Sequence, residues 1–242
     1  ADFAAARARG AEPPGIAIDA ALPAGSGALS EPASKAVLAA AGIAVTTDRL
    51  LPLEGGLPMD LAYPLALKIV SPDIAHKTDV GGVCLDVRDA QALREARAAL
   101  LARVRAARPQ ARLEGVLAAP MIDDGLEALA GVVNDPGFGP VVAFGLGGIH
   151  AETLADIRYA VAPFGVAEAR RMIGGLRAAA LFGGVRGRPP CDVDALAAML
   201  SRLSVLAWQW RDRLAELDIN PLLVRPAGQG VVAADALLVL QG

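Results

Sequence analysis

The chain has 242 residues, 54% of them apolar, with 26 acidic against 23 basic side chains and a formal charge of -3. That length supports one large domain or two small lobes without staples, and the acidic balance excludes a nucleic-acid protein driven by phosphate attraction. Two cysteines, Cys84 and Cys191, exclude a disulfide framework and point to a reducing, cytoplasmic setting, and no run reaches the ~18–20 apolar residues of a membrane span.

Residues 1–29 are rich in Ala, Gly and Pro and read as a linker or tail. The first residue is not Met and no basic-then-apolar signal follows, which fits a processed, trimmed or partial polypeptide. Ser30 stands where an N-cap belongs, Glu31 suits the positive helix end, Pro32 fits the first turn, and Gly42 is a stop. A helix over 31–41 follows, carrying Lys35. Strands are predicted at 43–47, 65–70 and 83–87, then a helix capped by Asp89 to about 107, then strands at 113–121, 126–133 and 141–144. Helices at about 166–173 and 192–207 precede a terminal hairpin, 214–224 with 231–240. Adjacent strand pairs mixed with helices favour α+β lobes with antiparallel or mixed sheets over an alternating doubly wound sheet.

Of the 23 basic residues only three are Lys: Lys35, Lys68 and Lys77. Lys is a compact point charge and a common phosphate ligand, whereas generic surface charge here is Arg. Codon bias with chance survivors is the alternative. The densest polar cluster runs from Ser71 through His76 and Lys77 to Gly81 and Gly82, between two strands. A glycine-rich connection of this kind can offer backbone N–H groups to phosphate, and an ordinary long hairpin loop is the bland alternative. In the second cluster, Glu216, Asp218 and Asn220 alternate along a strand and so share a face. Hard oxygen ligands in a row suit Mg²⁺ held with nucleotide phosphates, with Asp235 joining from the return strand; a solvated edge strand is the alternative. The third cluster, Gly145 to Glu152, fails the dinucleotide fingerprint because His150 replaces its last glycine. His150 reads as a structural or loop histidine. No Walker A segment, nucleophile elbow or local zinc spacing occurs. Trp208 and Trp210 read as packing residues.

Several of these segments fall into one ordered set. They are Ser30 through Lys35 to Gly42, Tyr63-Pro64 through Lys68, His76 through Val83, Gly137 through Pro140 with the Gly145–Gly148 loop, Arg186 through Pro190, and Glu216 through Leu222. From Ser30 onward the chain resembles the ATP-grasp domain of the NDP-forming acyl-CoA synthetases, the β subunit of ADP-forming acetate–CoA ligase, in the superfamily that contains succinyl-CoA synthetase. The resemblance implies an ATP-grasp domain over 30–242. Its small lobe would cover about 43–112, and the remainder, with the N-terminal helix, would form the large lobe. Nucleotide would be clasped by the two.

The implied reaction is acid + CoA + ATP ⇌ acyl-CoA + ADP + phosphate through a phosphohistidine. By resemblance His76 carries the phosphoryl group. Lys35 and Lys68 bind nucleotide phosphates, and Gly81 and Gly82 form a phosphate loop. Ala118, Ala119 and Met121 are the hinge beside adenine, and Glu127 lies near the ribose. Asp218 and Asn220 hold Mg²⁺ with Glu216 or Asp235 assisting, and Asp218 or Glu216 also orients the histidine ring. The implied cofactors are ATP or ADP and Mg²⁺. The implied partner is a CoA-binding and CoA-ligase part, fused upstream or separate, through which acid or acyl-CoA enters. Segment 52–62 is short where relatives carry a helix, and the hinge leaves adenine recognition to backbone groups. A nucleotide-sensing module without chemistry and a stand-alone carboxylate–amine ligase are the other functional classes considered.

Overall fold

The structure, a computed structural model, describes residues 15–74, 77–148, 156–184 and 187–242. It divides into two compact units, one built from the chain up to Val45 with Asp124–Gly242, the other from Thr46–Asp123.

Residues 16–28 are not a free linker. Ile16, Ile18, Ala20 and Leu22 alternate toward the first unit's core. Gln209 donates to the Ile18 carbonyl, Trp210 Nε1 to that of Ala20, and Arg213 to those of Pro23 and Gly25. Strand β1 (Gly27–Ala28) then joins the sheet edge. Helix α1 (Glu31–Ala40) starts after an extended Ser30, whose carbonyl, not its hydroxyl, serves the first turn. Gly42 ends it at φ +77°, with Gly42 and Ile43 N–H groups bonding back to the Ala39 and Leu38 carbonyls. The strand expected at 43–47 is a single bridge, Val45 to Ala233, because the chain leaves for the second unit at once.

The second unit is a four-stranded antiparallel sheet covered on one face by a helix. Its strands are β2 (Arg49–Leu51), β3 (Leu65–Val70), β4 (Val83–Val87) and β5 (Gly115–Pro120), in the order β2-β5-β3-β4. Helix α2 (Ala90–Ala107) is capped by Asp89 Oδ1, which accepts the N–H groups of Gln91 and Ala92. Its buried stripe of Leu93, Leu100, Leu101 and Val104 packs on Leu65, Leu67, Ile69, Val116 and Ala118. The unit runs to Asp123 and not to about 112, because β5 fills the middle of its sheet, paired to β2 and β3.

In the first unit the chain continues as β6 (Leu126–Asp135), β7 (Gly139–Leu146), β8 (Ile157–Val161), α3 (Val166–Gly174), α4 (Val193–Gln209), β9 (Leu214–Val224), β10 (Val231–Ala233) and β11 (Ala236–Leu240). The antiparallel order is β1-β11-β9-β6-β7-β8, with β10 also on β9. One face of the sheet is dry: Ala128, Ala130, Val132, Val142, Phe144, Leu217 and Ile219 belong to the same core as Leu196, Leu200 and Leu203 of α4. Two buried serines of α4 are satisfied, Ser201 donating to the Phe164 carbonyl and Ser204 accepting the Phe164 N–H. Trp210 is buried, whereas Trp208 is 41% exposed with Arg211 stacked over its ring.

Candidate functional site

Burial alternates strictly along the middle of β9. Leu217 and Ile219 point into the core, so Glu216, Asp218 and Asn220 point to the opposite face. Asp218 stands opposite Gly131 of β6 and Leu237 of β11. A Cβ on Gly131 would lie 3.9 Å from Asp218 Oδ1, so the missing side chain keeps the space beside that carboxylate open. Burial pushes the Asp218 carboxyl above its ordinary range, and the negative charges of Glu216 and Asp235 push it further the same way. Two carboxylates thus oppose the charge on Asp218, and a cation bound beside it would relieve that repulsion.

The four residues named from the sequence do not form a ready-made cage. Among the described residues no group of three His, Cys, Asp or Glu side chains converges on a common ion position. Mg²⁺ typically takes only one or two carboxylates and completes its shell with water and substrate phosphates, so Asp218 with the neighbouring Asn220 amide fits such a partial site. Glu216 and Asp235 fit a supporting field better than direct ligation.

On β6, Glu127 lies against the glycine loop. Gly147 N–H donates to the Glu127 carbonyl, and a Cβ on Gly148 would fall 2.6 Å from Glu127 Oε2. Gly148 sits at φ +62°, so the backbone favours glycine there, while the Glu127 carboxylate is a movable side-chain end. Lys35 is buried on α1 and paired with Glu31, 3.0 Å away and one turn earlier.

In the second unit, Lys68 is buried on β3 opposite Leu117, so it projects from the sheet face away from α2, as Ala66 and its partner Ala119 do. Ala118 is different. It points into the α2 core and is a rung between Arg49 and Leu67, which gives it a structural place and not a base-contacting one. Met121 follows β5, its N–H held by the Pro64 carbonyl at 2.9 Å.

The expectation that Gly81 and Gly82 offer N–H groups to phosphate is corrected. Thr78–Val80 forms a 3₁₀ turn, Gly81 N–H bonds to the Thr78 carbonyl, and Gly82 N–H bonds to the Lys77 carbonyl. The two donors are used in closing the loop. Gly81 takes φ +64°, and a Cβ on Gly82 would fall 2.6 Å from Ile69 Cγ2 and 2.9 Å from the Lys77 oxygen. The near end of the same loop is tied by Asp73, whose partner lies 39 residues away and leaves no local signal. Asp73 accepts from Arg112 backbone N–H, Nε and Nη2, which holds its carboxyl well below the usual range, at about 2. His76, His150 and Arg186 lie outside the described residues.

Two α+β units with antiparallel sheets, a carboxylate–amide row on a sheet face and a buried lysine on a second sheet describe a nucleotide-binding ligase fold. The chain belongs to the ATP-grasp domain family, which it matches over residues 20–240. It is 36% identical over 228 residues to the acetate–CoA ligase [ADP-forming] II subunit beta of Pyrococcus furiosus, covering 93% of this chain and 97% of that one. It is 42% identical over 172 residues to acetate–CoA ligase [ADP-forming] I of Archaeoglobus fulgidus, covering 71% of this chain but 25% of that longer one. Among solved structures, the dinucleotide forming acetyl-coenzyme A synthetase 1 of Ca. Korarchaeum cryptofilum, in complex with coenzyme A, Ca-AMPCP and HgCl+, superposes with a TM-score of 0.81 at 33% identity, over 89% of this chain and 94% of that one. A second complex of that protein, with coenzyme A and Mg-AMPPCP, has its phosphohistidine segment pointing towards the nucleotide binding site and superposes with a TM-score of 0.74 at 32% identity, over 88% and 93%.

Proposed function

We propose that this chain is the nucleotide-binding, phosphoryl-transferring part of an ADP-forming acid–CoA ligase. The observation that carries the reading is the Asp218 carboxylate, half-buried, opposed by two further carboxylates and followed on the same face by Asn220. Asp218 and Asn220 would hold Mg²⁺, which would supply charge neutralisation for the nucleotide phosphates. Lys68 adds a fixed positive charge for the phosphates, with Lys35 a second candidate that would share its charge with Glu31. Glu127 takes the ribose, and Ala119 and Met121 line the base.

In the transfer step an imidazole nitrogen of His76 attacks the γ-phosphorus of ATP. An N–P bond forms, the bond from phosphorus to the β,γ-bridging oxygen breaks, and ADP leaves with that electron pair. Such a transfer needs alignment and charge neutralisation more than covalent help from other groups. Thioester formation then belongs to a CoA-binding and ligase part, present in the same polypeptide or as a separate subunit. Support for that division of labour comes from the relatives, one a β subunit matched over nearly its whole length and the other a longer ligase matched over a quarter.

The test is isotope exchange between ADP and ATP with Mg²⁺, without CoA or acid. A phosphoenzyme predicts exchange that His76→Ala abolishes while nucleotide still binds. Binding without exchange would favour a sensing module, and exchange indifferent to His76 would refute the phosphohistidine.

A further inference from the structure

Asp86 is the one non-glycine among the described residues with positive φ, at +61°. It lies within β4, where a left-handed residue is out of place and costs backbone strain. The pairing explains how it is accommodated. Leu65 pairs with Val87 but Leu67 pairs with Cys84, so β4 carries one extra residue here, a bulge opposite Ala66. Bulges re-aim backbone groups, and this one aims the Asp86 N–H out of the ladder onto Met121 Sδ, 3.1 Å away.

Methionine is a poor acceptor and a flexible side chain, so a half-buried thioether held by a backbone donor is an unusual use of both groups. Met121 is thereby gripped twice, by the Pro64 carbonyl at its own N–H and by Asp86 at its sulfur. Asp86 is gripped in turn, because Arg88 Nε donates to both of its carboxylate oxygens at 2.9 and 3.0 Å. Asp is one of the few side chains that tolerate the left-handed region, and the Arg88 clamp adds a reason for Asp over glycine.

We infer that Asp86 is a positioning residue for nucleotide recognition: its left-handed bulge fixes the Met121 thioether as a rigid wall against the base. This rests on the assignment of Met121 to the base subsite. A fixed wall discriminates by shape, which compensates for a hinge with no side chain that could read the base by hydrogen bonds.

The test uses calorimetric titration of the wild type, Met121→Leu, Asp86→Gly and the double variant with Mg-ATP, Mg-GTP and Mg-tripolyphosphate. Leu keeps the volume and loses the acceptor; Gly keeps the φ and the N–H and loses the clamp. Met121→Leu is expected to weaken Mg-ATP binding about fivefold and to lower the ATP-to-GTP preference, and Asp86→Gly to weaken Mg-ATP about threefold. The double variant should be no weaker than Met121→Leu, because both changes act through one contact. Tripolyphosphate affinity should be unchanged throughout, which a general loss of fold would not allow. Multiplying effects, equal losses for tripolyphosphate, or unchanged ATP affinity in Met121→Leu would overturn the inference and leave the phosphoryl-transfer reading intact. A wild type that binds tripolyphosphate but no Mg-ATP would overturn both.

Discussion

Arg112 meets Asp73 side-on, with Nη2 2.7 Å from Oδ1 and Nε 3.0 Å from Oδ2, while its own backbone N–H adds a third bond of 2.8 Å to Oδ2. Bidentate geometry separates this pair from ordinary surface ion pairs, which contribute little. It ties the stretch ahead of residue 75 to the start of β5.

A pH dependence follows. The folded Asp73 carboxyl titrates at about 2, below its unfolded value of 3.8. A depressed carboxylate contributes stability that is present above the unfolded value and is lost as pH falls from near 4 towards 2. Thermal melts of wild type and Asp73→Asn across that window are expected to converge at the acid end. Parallel curves would show that the pair contributes nothing.

Gly82→Ala puts a methyl group against the Lys77 carbonyl and Ile69, at 2.9 and 2.6 Å. The carbonyl is backbone and closes the loop, so the loop must shift. A cost of about 1–3 kcal/mol is expected, with His76 phosphorylation slowed at least about tenfold. Melting curves and the ADP–ATP exchange rate measure the two effects. Unchanged values in both would show that the loop yields freely.

The raised Asp218 carboxyl carries the opposite sign from Asp73. A carboxylate with a raised folded pKa costs the apo protein stability as pH rises above the unfolded value. Asp218→Asn is therefore expected to raise the apo melting temperature at neutral pH and to leave it unchanged in acid, where the carboxyl is protonated in both states. The same variant should lose the Mg²⁺-dependent part of ATP binding. A lower apo melting temperature would mean that Asp218 is held by a favourable partner instead.

Much of the fold was legible because local signals and tertiary demands agree. Asp89 with a leucine stripe marks α2, and alternation marks β9 and with it the shared face of Glu216, Asp218 and Asn220. The alternation of Ile16, Ile18, Ala20 and Leu22 was equally readable, but the surrounding Pro and Gly disguised it as a linker. Other features are invisible to local pattern. Asp73 and Arg112 are 39 residues apart, and Asp86 takes its strained backbone from a register shift against β3. Gly81 and Gly82 are ambiguous in sequence for a related reason: glycine marks a special backbone, and whether its N–H is spent inward or offered outward is decided by the turn before it.

The most direct measurement of the central claim is peptide mass spectrometry of the chain after incubation with Mg-ATP, handled at neutral to alkaline pH to preserve phosphoramidates. Phosphate on His76, absent when Mg²⁺ is omitted and lost in Asp218→Ala, is the expected result. Phosphate at another residue, or His76 phosphorylated equally well without the Asp218 carboxylate, would contradict it.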